Sequence, residues 1–299
     1  MDSKIANLLI DAVDLHCHSG PAAMDRILDH YDAMVDARDA GFRALVYKDH
    51  FYPGMAHAKI LQRLNPEMKL QLYSGLVLNN AVGGINPHAV DHALRLGAKI
   101  IWMPTLSAAN HIEQLQKQGK TFPKTKQPML DAIPLSSLDE AGKITDTAKQ
   151  VLDLIAETDA ILAGGHLHVD ELHVLFEEAA RRGVTRRLIN HPTYLIGCSD
   201  ADIKALVAGG TMMEHSICMF VEGRSLKYAP ADLKHLIDVA GVDNTILSSD
   251  LGLPNGPRPV DGFRAIAATL IDLGYSDDEI KRLVGRNARK MLSLESETI

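Results

Sequence analysis

Two rhythms take turns along this chain. Eight short apolar runs, at residues 12–15, 44–47, 70–78, 99–103, 160–163, 187–189, 211–213 and 245–247, are separated by stretches whose apolar residues recur at helical spacing. Most of the runs are continuous rather than strictly alternating, which is the pattern of strands covered on both faces. Eight such strands interleaved with helices predict an α/β protein of the closed (β/α)8 TIM barrel class rather than an open doubly wound sheet.

The helical stretches carry their own punctuation. Between 169 and 182, Leu172, Leu175, Phe176 and Ala179 form one stripe, opened by Asp170 and Glu171 and closed by Arg181 and Arg182 before Gly183. These charges oppose the helix dipole at both ends, and the glycine supplies a stop. Ser199 or Asp200 is placed to cap a helix carrying Ile203, Leu206 and Val207 and ending at Gly209 and Gly210. A last helix, 276–292, opens Ser-Asp-Asp-Glu, a capping box. One segment breaks the rhythm: residues 105–145, between the fourth strand and the next helix, are rich in Lys, Gln, Pro, Gly and Ser. A long insertion after a barrel strand predicts a lid, or a hairpin excursion, over the C-terminal mouth. An ordinary surface insertion is the alternative. With no repeat and no linker, residues 1–299 read as one domain.

Composition narrows the picture. The 299 residues are 46% hydrophobic, enough for one large core. A formal charge of −7 argues against a broad nucleic-acid surface while leaving room for a local basic pocket. Met1-Asp2-Ser3-Lys4-Ile5 lacks the profile of a signal peptide. No apolar run reaches the ~18 residues of a spanning helix. Cys17, Cys198 and Cys218 are too scattered for a disulfide framework. The expectation is a soluble cytoplasmic homo-oligomer acting on a small molecule, without nucleic-acid or membrane partners.

Histidine is the anomaly. There are 14, against one Trp, and several sit where apolar runs end. Asp14-Leu15-His16-Cys17-His18 follows the first run. Residues two apart on a strand point the same way, so His16 and His18 can face one ion, with Asp14 on their side and Cys17 opposite. Two surface histidines leaving a strand are the alternative. His166 follows the fifth run, His191 the sixth and Asp250 the eighth. In a barrel these ends converge on one mouth. Imidazole and carboxylate together suit Zn²⁺, Mn²⁺ or Fe²⁺. One or two divalent ions, zinc first, are therefore expected on His16, His18, His166, His191 and Asp250.

Lys48, Asp250 and His191 are the catalytic candidates. Asp250 is placed to take a proton from metal-bound water; a turn cap, suggested by Gly252 and Pro254, is its structural alternative. Lys48 ends the second run and, if buried, can lose its charge and serve as base or metal bridge; pairing with a carboxylate or binding an anionic substrate is equally open. His50, Glu214, His111 and Arg258 are the substrate-binding candidates. His50 shares Lys48's parity, and His111 enters from the 105–145 segment. Only one of Glu214 and His215 can face the pocket, to ligate, to orient a histidine or to touch substrate, with a structural role as the alternative. Arg258, after the eighth run, can clamp a carboxylate or phosphate. Lys117, Lys120, Lys124 and Lys126 read as solvent-facing, and His30, His57, His88, His92, His173 and His235 as structural. The glycine pairs at 83–84 and 164–165 make no dinucleotide fingerprint.

On His16-x-His18, His166, His191 and Asp250, taken in strand order, the chain resembles the amidohydrolase superfamily of metal-dependent hydrolases. Gly285 to Leu292 is similar to the closing helix of many members, with Asn287-Ala288 in place of their usual Asn-Pro. More narrowly, Lys48-Asp49-His50, Gly83-Gly84-Ile85-Asn86-Pro87 and Met103-Pro104-Thr105 resemble one branch, a resemblance that implies no substrate. The superfamily resemblance implies metal-activated water, with Asp250 as general base, hydrolysing an amide, cyclic amide, lactone or ester. Two-metal members often use a carboxylated Lys or a Glu after strand four; here Trp102-Met103-Pro104-Thr105 offers neither. Asp14 to His18 and Lys48 to His50 also resemble phosphoesterases of the polymerase-and-histidinol-phosphatase type. Their closing Asp-x-His is replaced by Ser249-Asp250-Leu251-Gly252, which weighs against them. Decarboxylation, hydration and deamination are further chemistries the resemblance allows. A non-catalytic metal-binding role is disfavoured by the retained water-activating aspartate.

Overall fold

The computed structural model describes residues 1–120, 122 and 124–294. Strands β1 (Val13–Cys17), β2 (Ala44–Tyr47), β3 (Gln71–Val77), β4 (Ile100–Trp102), β5 (Ile161–Ala163), β6 (Arg187–Asn190), β7 (Thr211–Ser216) and β8 (Thr245–Ser248) pair in parallel, each with the next. The chain after β8 then returns to β1. Asp250 N donates to His16 O at 2.7 Å, His18 N donates to Leu251 O at 3.0 Å, and Cys17 pairs with Leu251. This is the (β/α)8 barrel read from the sequence.

Helix α1 (Asp2–Leu9) precedes β1 and packs on the helices that end the chain. Between strands run α2 (His30–Asp39), α3 (Met55–Leu64), α4 (Pro87–Arg95), α5 (Ala109–Lys117), α6 (Asp146–Thr158), α7 (Val169–Arg181), α8 (Asp200–Ala208) and α9 (Pro230–Ala240). α10 (Pro259–Asp272), α11 (Asp277–Lys281) and α12 (Asn287–Met291) follow β8. Ser199 caps α8 and Ser276 caps α11, each in a capping box. The expected single helix 276–292 is interrupted by a π-helical turn, Arg282–Arg286. That turn carries Asn287 under β8, where its Nδ2 donates to Val242 O and Thr245 O, both at 2.8 Å. No helix among the described residues is long and apolar enough to cross a membrane.

The apolar residues divide into two layers by strand parity. Val13, Ala44, Val46, Ile100, Trp102, Ile161, Ala163, Leu188 and Ile246 pack inside the barrel, and Ala288, Met291 and Leu292 close its base. Their alternates, among them Leu45, Tyr47, Ile101, Leu162 and Leu247, pack against the helices. Four strands extend further toward the mouth than their apolar runs: β1, β6, β7 and β8. The added residues include His16, Asn190, Glu214 and Ser248, all polar and all buried. Their side chains break the apolar pattern, while the backbones of Asn190, Glu214 and Ser248 continue the ladder.

Residues 105–145 contain a helix that the sequence reading left out, α5, and a small antiparallel bridge between Leu138 and Ile144. Met24 pairs with Thr125, and Lys126 N donates to Ala23 O at 3.0 Å. The segment thus reaches from the end of β4 to the loop after β1, across the mouth. Its return is tied to α7 by Glu171, whose Oε1 accepts from the Ser136 and Ser137 hydroxyls at 2.9 and 2.8 Å.

Candidate active site

The mouth opens into a cavity of about 550 Å³ lined by His18, Lys48, His50, His111, His166, His191 and Asp250, among others. These come from the ends of β1, β2, β5, β6 and β8 and from α5, as strand-end convergence predicts. Two of them have left-handed backbones: His191 at φ 33° and Asp250 at φ 48°. A bulky residue enters this region at a cost of about 1–3 kcal/mol, and such strain concentrates at functional sites. Two glycines make the close approaches possible. A Cβ on Gly165, beside His166, would fall on the carbonyl oxygens of Met103 and Pro104, and one on Gly252 would fall on that of His18.

The β1 motif differs from simple parity. The β1–β2 register shifts between Asp14 and Cys17, so Asp14 does not join the histidines. Its Oδ1 instead accepts the backbone N–H groups of His16 at 3.0 Å and Ser249 at 2.9 Å. The carboxylate thereby satisfies the donors that the irregularity leaves without ladder partners. Cys17 packs in the outer core, as expected.

Each histidine of the expected metal set has its Nδ1 held at a partner, which leaves Nε2 as the nitrogen that can turn to an ion. His16 Nδ1 lies 2.7 Å from Glu214 Oε1, His18 Nδ1 2.9 Å from Lys48 O, and His191 Nδ1 3.3 Å from Tyr194 O. These oxygens only accept, so the three Nδ1 atoms carry hydrogen and the three Nε2 atoms, when deprotonated, can bind a cation. His166 Nδ1 lies 2.8 Å from His111 Nδ1; when it donates, His166 adopts the same tautomer. His111 Nε2, buried and unpartnered, then carries a hydrogen.

His16 Nε2 and His18 Nε2 meet the same Asp250 Oδ1 at 3.1 and 3.2 Å. Two imidazole nitrogens and a carboxylate oxygen converge, and they are the one such group found among the described residues, their ligand atoms within 4.8 Å of one another. Without an ion the positive charge comes from His16, whose protonated Nε2 donates to Asp250 Oδ1; a bound cation would take the place of that proton. The donor set is that of a Zn²⁺-like ion, so the residues fit the metal their chemistry implies. His166 and His191 line the same cavity, ring centroids 5.0 Å apart, outside this tightest group.

Electrostatics agree. Burial pushes His16 down, yet the Asp250 and Glu214 carboxylates override it and lift His16 to about 9. The same burial, aided by Arg26, drives His18 to about 3. Burial also works to raise Asp250, but His16 and His18 hold it well below the usual carboxylate range. Lys48, buried with its Nζ 2.9 Å from His16 Nε2 and 5.1 Å above the Trp102 ring, is lowered to about 8 by that burial. Trp102 is fully buried at the end of β4, so that strand supplies packing where a two-metal site often has a ligand.

Other expected residues fall differently. His50 lines the cavity, its Nδ1 2.9 Å from Thr105 Oγ1. Glu214, expected to ligate, orient a histidine or touch substrate, is fully buried between His16 and Asn190, whose Nδ2 donates to its Oε2 at 2.8 Å. It orients a histidine, and its neighbour His215 packs on the strand's other side. Arg258 is also corrected: its Nε pairs with Asp36 at 2.7 Å, which holds it to α2, and it does not line the cavity. Lys117 and Lys126 pair with Glu113 and Asp25, whereas Lys120 and Lys124 stand at the cavity rim. Arg26, Tyr194, Arg224 and Lys227 line the cavity without having been singled out. The signal was available: each lies in a loop that leaves the mouth end of a strand.

Solved structures share this architecture. An amidohydrolase from Pseudomonas aeruginosa superposes with a TM-score of 0.65 at 12% identity, with 97% of each chain covered. The probable dipeptidase PvdM from the same organism gives 0.67 at 13% identity, covering 97% of this chain and 96% of its own. A dipeptidase described as a metallopeptidase of family M19 gives 0.58 at 14% identity, covering 95% and 98%. At these identities the likeness establishes the fold alone, the (β/α)8 barrel that these structures share. No curated protein matches the sequence. A family model does, over residues 11–214, and by that match across more than half its length the chain belongs to DUF6282, a family of unknown function.

Proposed function

We propose that the chain is a divalent-metal-dependent hydrolase of a small-molecule amide, cyclic amide, lactone or ester. The observation that carries this reading is the meeting of His16 Nε2, His18 Nε2 and Asp250 Oδ1 in a cavity at the barrel mouth. His16, His18 and Asp250 would hold the ion, zinc by its donor set, with His166 and His191 beside them. When bound, such an ion lowers the pKa of water to ~7 and polarises a carbonyl. Asp250, held ionised, accepts the proton of the attacking water and returns it to the leaving group. Glu214 and the Lys48 carbonyl fix the tautomers of His16 and His18. His111 presents an Nε2–H donor to the substrate, and Lys48 offers a buried amine whose pKa is lowered to about 8. The amidohydrolase and dipeptidases that share the fold support hydrolysis as the reaction class.

The test is turnover of an amide, lactone and ester panel by protein reconstituted with Zn²⁺, Mn²⁺ or Fe²⁺. Chelation is expected to abolish activity, and Asp250→Asn to lower kcat by roughly 10²- to 10⁴-fold. Turnover that survives both treatments would contradict the reading.

A further inference from the structure

The cavity's charge departs from that of the molecule. Acidic residues outnumber basic ones 38 to 31 over the chain. Around the cavity the order reverses: Arg26, Lys48, Lys120, Lys124, Arg224 and Lys227 line it, and Asp250 is the single carboxylate among the described lining residues. We propose that the cavity contains, beside His18, a subsite for an acidic group of the substrate, a carboxylate or phosphate, held by Arg26, Arg224 and Lys227. This names the substrate class of the site above and rests on the hydrolase reading.

Arg26 is the anchor. Its side chain is only 4% exposed, yet its nearest carboxylate, Asp49, is 3.7 Å away and its Nε has no partner. Its Nη2 lies 3.4 Å from His18 Nδ1. That nitrogen already donates its hydrogen to Lys48 O, so it has no lone pair to offer Arg26. A buried guanidinium short of acceptors is costly unless an anion completes it. On the loop between β7 and α9, the Arg224 guanidinium has no ion pair or hydrogen bond among the described residues. Lys227 stacks 4.5 Å over the Tyr194 ring. Burial lowers its pKa, and Lys120 nearby adds to the effect. A planar guanidinium and an ammonium on a cavity wall match a carboxylate or phosphate.

The experiment has two arms. In the first, inorganic phosphate and succinate are titrated calorimetrically into chelator-treated wild type, so that neither can bind through a metal. Saturable binding is expected, weakened at least about tenfold in Arg26→Gln and in an Arg224→Gln, Lys227→Gln double variant. Preference for phosphate or for succinate decides which acidic group the subsite takes. Binding of neither anion by wild type, or equal binding by properly folded variants, overturns the proposal. In the second arm, metal-loaded enzyme is given N-acyl amino acids and their methyl esters. Preference for the free acid, lost in the double variant through KM, supports the subsite; faster turnover of the neutral esters overturns it while leaving the hydrolase reading intact. Anion binding without hydrolysis of either member would uphold the subsite and count against the hydrolase.

Discussion

The two ends of one barrel interior have opposite chemistry. At the base, Val13, Ala44, Ile100, Ile161, Leu188 and Ile246 fill the space and α12 plugs it. One or two inward steps along the same strands bring Lys48, Asn190, Glu214 and Asp250. Parity decides which side chains face inward, and distance along the strand decides what they do. The contrast teaches that the base determines whether the barrel holds together while the mouth determines what it does. Changes at the two ends should therefore separate stability from chemistry.

The largest expected separation comes from the base. Ile100→Ala should cost about 2–5 kcal/mol in chemical denaturation through the cavity it leaves. Its metal content and kcat at moderate temperature should stay at wild-type values; loss of metal in the folded variant would mean that the two ends are not separable. At the mouth the converse holds. Glu214→Gln keeps the volume but weakens the acceptor fixing His16 Nδ1, so metal affinity should fall about 10- to 100-fold. Competition with a chelator measures this, and unchanged affinity would make Glu214 a packing residue.

A smaller effect sharpens the comparison just outside the interior. Burial lowers His215 to about 4. In the unfolded chain a histidine titrates near ~6.5, so between those values the unfolded state holds the extra proton. Stability from a neutral His215 is complete above ~6.5 and is lost as pH falls toward 4. Denaturation of metal-free protein across this window should show a steeper acid slope for wild type than for His215→Asn, by at most one proton, or ~1.4 kcal/mol per pH unit. Equal slopes would mean that His215 titrates normally.

Much of this was legible in the chain. The eight apolar runs located every strand, because strands buried on both faces need continuous apolar sequence. Histidines and an aspartate at run ends located the mouth, because parallel strands present their ends together. What stayed hidden depends on contacts that no local pattern encodes. The irregularity in β1 that turns Asp14 to the backbone arises from pairing with strands far away in sequence. Arg258 and Arg224 follow strands eight and seven in similar polar loops, yet Asp36 claims the first and nothing among the described residues claims the second. The helix within 105–145 was masked by its weakly apolar composition, since of the three residues that it buries only Leu115 is apolar.

The central claim is that His16 Nε2, His18 Nε2 and Asp250 Oδ1 meet to hold a cation, and elemental analysis tests it most directly. Wild-type protein, reconstituted and freed of loose ions, should carry about one or two equivalents of zinc, manganese or iron, and His16→Ala should carry far less while remaining folded. A wild type that stays metal-free after reconstitution, or a His16→Ala variant that retains the full complement, would contradict the account.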